Sequence, residues 1–101
     1  MLNIQKAIDN GKADYKLEGR LDTMTAPELE QDLKASLDGV KSLVLDFEKL
    51  EYISSAGLRT LLAAQQYMED NNYPDVKVLN INDNIRETFE LTGFDEMLDI
   101  E

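Results

Sequence analysis

The chain has 101 residues, with neither cysteine nor histidine, and 21 acidic against 10 basic side chains give it a net charge of −11. This length fits one compact domain, 1–101, whose 43% hydrophobic content is enough for a core without disulfides or metals. Without His and Cys the commonest general base, metal ligand and thiol nucleophile are missing, so we expect no enzyme, no metal site and no cofactor. The negative charge argues against direct binding to nucleic acid.

Hydropathy gives an expectation about location. No apolar run approaches the roughly 18 residues that a membrane span requires, and the N-terminus lacks the apolar region of a signal peptide. The absence of cysteine fits a reducing compartment. We therefore expect a soluble cytoplasmic protein without membrane insertion.

The first quarter of the chain predicts a β-hairpin. Residues 2–8 and 13–21 alternate between apolar and polar side chains, which is the period of a half-buried strand. Asn10 and Gly11 between them are the strongest short signal for a hairpin turn. The two strands should therefore pair antiparallel.

A helix is predicted to follow the hairpin. Thr25 and Glu28 have the spacing of a capping box, and Pro27 falls in the first turn, where proline is tolerated. Gly39 is expected to end this helix.

The rest of the chain alternates between strands and helices. The apolar run at 43–47 predicts a central strand buried on both faces, and an amphipathic helix follows it. Residues 76–81 predict another strand, and Asp83 or Asn84 is expected to cap the last helix. Residues 94–100 form an apolar tail that fits an edge strand. The order predicts a single α/β domain with a mixed, mainly parallel sheet, flanking helices and an N-terminal β-hairpin.

Ser54 and Ser55 stand where a strand gives way to a helix. Such a junction presents backbone N–H groups and the positive end of the helix dipole, so a phosphate on either serine would be stabilised. Helix capping is the simpler interpretation, and it is compatible with phosphorylation. Gly57 costs about 1 kcal/mol relative to alanine in a helix. This cost suggests that something approaches the first turn closely, and a closely packed neighbouring strand is the alternative explanation.

Two aspartates are candidates for the same edge of the sheet. Asp22 follows the second predicted strand, and Asp46 lies in the strand that leads to the serines. Sites in mainly parallel sheets form at the carboxyl ends of strands. A local turn around Asp22 is the favoured alternative.

Two stretches of the chain resemble a known family. One covers residues 17–23, Leu-Glu-Gly-Arg-Leu-Asp-Thr, and is followed by the helix start at Thr25. The other is Leu-Asp-Phe at 45–47 with Leu-Glu-Tyr-Ile-Ser-Ser-Ala-Gly-Leu-Arg at 50–59. Together they are similar to the STAS domain, in particular to the bacterial anti-sigma factor antagonists.

The resemblance implies a partner-switching role. In that family the unphosphorylated antagonist binds an anti-sigma factor that is also a serine kinase, phosphorylation abolishes binding, and a phosphatase resets the cycle. Aligned on Gly57, Ser55 takes the phosphorylated position, Ser54 replaces an aspartate and Arg59 replaces a glycine. The partner-binding residues implied are Asp22, Thr23, Ser54, Ser55, Gly57 and Arg59. The alternative is a non-phosphorylated STAS scaffold or an accessory subunit of a lipid-transport ABC system.

Overall fold

The computed structural model describes residues 2–101. Strands and helices follow one another in the order ββαβαβααβ. They are β1 (Leu2–Asp9), β2 (Lys12–Leu21), α1 (Ala26–Ser36), β3 (Ser42–Ile53), α2 (Ser55–Asp70), β4 (Lys77–Leu79), α3 (Asp83–Thr92), α4 (Phe94–Met97) and β5 (Asp99–Ile100).

The strands form one mixed sheet in the order β1-β2-β3-β4-β5. β1 pairs antiparallel with β2, and the turn between them places Asn10 and Gly11 at φ of 51° and 78°. Positive φ at both positions is what a type I′ hairpin turn requires. β2 to β5 pair in parallel. The predicted hairpin, mainly parallel sheet and α/β class are confirmed.

The helices cover one face of this sheet. Tyr15 of β2 is fully buried, and its hydroxyl donates to Asp32 of α1 at 2.6 Å. Phe47 of β3 packs against Phe89 of α3 with ring centroids 6.5 Å apart. Tyr15 is paired in register with Leu45, which points to the same face as Phe47, so α1 and α3 lie on one side.

The prediction that the strand at 43–47 is buried on both faces was wrong. Its odd-numbered residues are buried, whereas Val44 and Asp46 are only half-buried on the other face. The reason lies in the topology. The strand order never reverses, so successive right-handed crossovers place every connecting helix on the same side.

The predicted start of the first helix at Thr25, with Pro27 in its first turn, is confirmed, but the predicted capping box and the predicted end at Gly39 were wrong. Thr25 is the N-cap of α1, but its side chain makes no capping bond, because the hydroxyl donates to the carbonyl of Arg20 at 2.8 Å. The capping box with Glu28 is therefore absent. The helix ends at Ser36, and Gly39, at φ of 84°, belongs to the turn that follows.

The last helices differ from expectation by small shifts. Asn82, rather than Asp83 or Asn84, caps α3, and its Oδ1 accepts from the N–H of Ile85 at 2.9 Å. The apolar tail at 94–100 forms the short helix α4 before the predicted edge strand, β5. Within residues 2–101, no helix has the length and apolar character needed to cross a membrane.

Candidate functional site

The candidate serines lie where β3 ends and α2 begins. The N–H of Ser54 donates to the carbonyl of Leu21 at 2.9 Å, which ties the ends of β2 and β3 together. Ser54 is the N-cap of α2. Its hydroxyl oxygen accepts from the N–H of Gly57 at 3.4 Å, and its carbonyl accepts from the N–H of Leu58 at 2.9 Å. The capping interpretation is therefore confirmed for Ser54.

Ser55 is the first residue of α2 and is exposed. It is the side chain of Ser54, not that of Ser55, that caps the helix. The first turn of α2 carries no acidic side chain that would occupy the positive end of the helix dipole. A negative group on Ser55 would gain about 0.3–1 kcal/mol from that dipole.

Close packing accounts for Gly57. A Cβ atom at this position would lie 2.8 Å from Cγ1 of Ile53 and 2.9 Å from Cγ of Leu21. Both distances are shorter than a side chain tolerates, so the first turn of α2 can rest on the ends of β2 and β3 only with glycine here. Of the two explanations considered, the packed strand is confirmed, and its consequence is a fixed position for Ser55.

The loop between β2 and α1 is held by Asp22. Its Oδ1 accepts from the N–H groups of Met24 at 3.0 Å and Thr25 at 3.1 Å, and the Thr25 hydroxyl accepts from the N–H of Asp22 at 2.8 Å. The predicted local turn is confirmed. Desolvation raises the pKa of Asp22, but the bonds from Thr25 and Met24 outweigh it and hold that pKa below its usual value.

Thr23 and Met24 project from this loop into solvent, and Met24 is 83% exposed. Thr23 also borders a groove of about 380 Å³ that Ala56 and Arg59 of α2 line from the other side. The β2–α1 loop and the start of α2 therefore present one continuous surface.

Two arginines lie near the serines in this acidic chain. Arg59 is exposed four residues after Ser55, which places both side chains on one face of α2. Arg59 takes part in none of the three salt bridges formed within residues 2–101. Arg20 lies over the ring of Tyr52, 4.4 Å from its centroid, at the same end of the sheet. The end of the sheet that carries Ser55 therefore also carries two positively charged side chains.

A third helix begins at the same edge. The Nδ2 of Asn82, the cap of α3, donates to the carbonyl of Leu50 in β3 at 3.1 Å. The N-termini of α1, α2 and α3 therefore all lie at the carboxyl ends of parallel strands, where sites form in such sheets. Their partial positive charges favour a negative group at this edge.

The structure does not bring Asp46 to the serines. This residue lies in the first half of β3 on the uncovered face, where it accepts from the N–H of Glu48 at 3.0 Å and the Nδ2 of Asn80 at 3.1 Å. Among the residues that the structure describes, no group of three or more acidic side chains is arranged to hold a metal ion.

Sequence reasoning missed two features of the site. It assigned the hydroxyl of Thr25 to a helix cap, whereas that hydroxyl closes the β2–α1 loop. It also took the dispersed methionines, Met24 among them, for core or terminal residues, whereas Met24 is 83% exposed. An aspartate followed three residues later by threonine is typical of a side-chain-closed turn, so the spacing of Asp22 and Thr25 was a usable signal.

Comparisons with known proteins give the family. The sequence model of the STAS domain matches residues 3–101. The anti-sigma-B factor antagonist of Staphylococcus aureus (strain NCTC 8325) is 28% identical over 100 residues, covering 98% of this chain and 92% of that protein. An anti-sigma factor antagonist from Mycobacterium paratuberculosis superposes with a TM-score of 0.85 at 26% identity, over 99% of this chain and 85% of that one. The phosphorylated form of the Bacillus cell fate determinant SpoIIAA superposes with a TM-score of 0.77 at 18% identity, over 98% of this chain and 91% of that one. The chain belongs to the STAS domain family.

Proposed function

We propose that the protein is an anti-sigma factor antagonist whose affinity for its partner is set by phosphorylation of Ser55. The relatives named as anti-sigma factor antagonists support the function, and SpoIIAA has a structure in a phosphorylated form. The observation that supports regulation by phosphorylation is that the two serines have different structural roles. Ser54 caps α2, so the fold leaves the exposed hydroxyl of Ser55 available to a kinase.

The partner-binding surface surrounds Ser55. Thr23 and Arg59 contribute exposed side chains, and Asp22 shapes the loop that presents Thr23. Ser54 and Gly57 set the position of the first turn of α2. The partner is an anti-sigma factor that is also a serine kinase, and a phosphatase acts on the phosphorylated form in the cytoplasm.

Phosphorylation opposes binding through charge. A phosphate adds about −1.5 to −2 charges to the contact surface. Within this chain the helix dipole of α2 offsets part of the cost, so the fold survives the modification. The interface has no such compensation where the partner presents an acidic, nucleotide-binding rim. A loss of about 3 kcal/mol would weaken affinity by more than a hundredfold.

Titration calorimetry against the cognate anti-sigma factor tests this proposal. Ser55→Asp should bind at least a hundredfold more weakly than the wild type, and Ser55→Ala should bind as tightly as the wild type. Ser54→Ala is the comparison variant: it removes the cap without changing the charge at Ser55, so it should lower the free energy of unfolding more than the affinity for the partner. Equal affinity of the wild type and Ser55→Asp, both folded by circular dichroism, would favour the non-phosphorylated scaffold or ABC-accessory alternative.

A further inference from the structure

A groove between α1 and α2 extends from the Ser55 surface along the molecule. Two adjoining hollows, of about 380 and 390 Å³, share Glu30, Thr60 and Ala63 as lining residues and therefore form one channel. We call it the α1–α2 groove. One end lies at Ala56 and the other at Tyr67.

The half of the α1–α2 groove that is farther from Ser55 has an apolar floor and one wall fixed by a hydrogen bond. Leu33 and Leu37 of the α1 side are buried, and Ala63 of α2 stands exposed in the middle of the channel. The Tyr67 hydroxyl donates to the carbonyl of Leu37 at 3.1 Å, which fixes the ring as one wall. An apolar floor under small side chains suits a close-packed segment of another protein.

The two ends of the α1–α2 groove carry opposite charges. In the middle, Lys34 and Glu30 neutralise each other at 3.0 Å. That leaves a positive Arg59 at the Ser55 end and a negative Asp38 at the far end, so the groove is neutral in a chain of net charge −11. A helix has the complementary arrangement, with its negative C-terminus suited to Arg59 and its positive N-terminus suited to Asp38.

We propose that the α1–α2 groove binds an amphipathic helix of the anti-sigma factor, with the C-terminal end of that helix beside Arg59. Positions 56 to 67 of α2 span roughly 16 Å, which corresponds to about three helical turns. The proposal rests on the proposed function and adds to it a reason for the effect of the phosphate. A phosphate on Ser55 lies one turn from Arg59 and repels the negative end of the bound helix.

Blocking the α1–α2 groove is the test. In Ala63→Trp the indole fills the middle of the channel from an exposed position, and Ala63→Arg does the same with a flexible chain. Gln66→Trp is the matched control, because Gln66 is exposed on α2 and does not line the groove. By titration calorimetry with the anti-sigma factor, both Ala63 variants should bind at least tenfold more weakly, and Gln66→Trp within twofold of the wild type. Thermal melting establishes that each variant is folded.

The orientation of the bound helix has its own test. Asp38→Lys should weaken binding about threefold to tenfold, since it places a positive charge at the positive end of the helix. Stronger binding by this variant would overturn the orientation.

Three results would overturn the proposal in different ways. Unchanged affinity of folded Ala63→Trp and Ala63→Arg, with Ser55→Asp still weak, would refute the groove and leave the proposed function standing. Loss of self-association in sedimentation equilibrium, without loss of partner affinity, would assign the groove to a second copy of the chain. No binding by the wild type would refute the proposed function together with the groove.

Discussion

Two polar regions of the molecule contain serines beside charged groups, and they differ in how fully those groups are used. In the first, which we call the Tyr15 cluster, Lys6, Tyr15, Asp32 and Ser36 meet between the hairpin and α1. The Nζ of Lys6 lies 3.0 Å from Asp32 and 2.9 Å from the hydroxyl of Ser36, and the Tyr15 hydroxyl donates to Asp32 at 2.6 Å. In the second region, Ser55 is exposed at the start of α2. Residue type alone does not distinguish a structural serine from a candidate regulatory one.

The contacts within the Tyr15 cluster also shift the pKa values of its members. Burial, and next the hydrogen bond to Asp32, raise the pKa of Tyr15 to about 12. Desolvation raises the pKa of Asp32, but the hydrogen bonds from Tyr15 and Lys6 outweigh it and hold that pKa below its usual value. Because these groups are satisfied by one another, the Tyr15 cluster stabilises the fold. Ser55 and Arg59 at the other edge are exposed, and the proposed function assigns them to a partner.

The largest expected effect on stability comes from Tyr15→Phe. This change removes the hydrogen bond to the Asp32 carboxylate, and a bond to a charged group is worth about 1.5–3 kcal/mol. Urea unfolding should show a loss in that range, while affinity for the anti-sigma factor stays within twofold of the wild type. A loss below about 0.5 kcal/mol would mean that the Tyr15 cluster does not stabilise the fold.

Alkaline pH should reduce the difference in free energy of unfolding between the wild type and Tyr15→Phe. The pKa of Tyr15 is raised in the folded state from 10.0 to about 12. The stability that the neutral phenol contributes is therefore complete below pH 10 and is lost as the pH rises towards 12. Urea unfolding of the wild type and Tyr15→Phe at pH 8, 10, 11 and 12 should show a gap that narrows with pH. A constant gap would contradict the assignment.

The smallest effects separate the two serines. Ser54→Ala should cost about 0.5–1 kcal/mol, at the low end for a helix cap because its bond to the N–H of Gly57 is long, at 3.4 Å. Ser55→Ala should change the free energy of unfolding by less than about 0.5 kcal/mol, as expected of an exposed position. An equal loss in both variants would show that the fold depends on both hydroxyls.

Local patterns predicted much of the fold. Alternation and the Asn10-Gly11 turn gave the hairpin, since both depend on neighbours in sequence. The uncovered face of β3 was missed because it depends on the order of the strands, which no short pattern records. Gln65 of α2 is a second example, because a polar residue lies on the buried side of the predicted amphipathic helix. It is buried, and its Oε1 accepts from the N–H of Val76 at 2.8 Å, a contact made across the fold.

The candidate site was predictable only where it depends on contacts between neighbours in sequence. Capping by Ser54 and the turn at Asp22 are short-range and follow from residue type. The packing that requires Gly57 joins two strands to a helix, so sequence left two explanations open. The α1–α2 groove has no sequence signal, because its lining residues are spread over two helices whose contact is tertiary.

In the proposed switch, the charge state of Ser55 sets affinity for the anti-sigma factor. The most direct measurement of this effect compares the dissociation constants of the wild type and of the chain with phosphoserine incorporated at position 55, titrated against the same partner. We expect at least a hundredfold weaker binding of the phosphorylated chain, with a melting temperature close to that of the wild type. Equal dissociation constants for the two folded forms would contradict it.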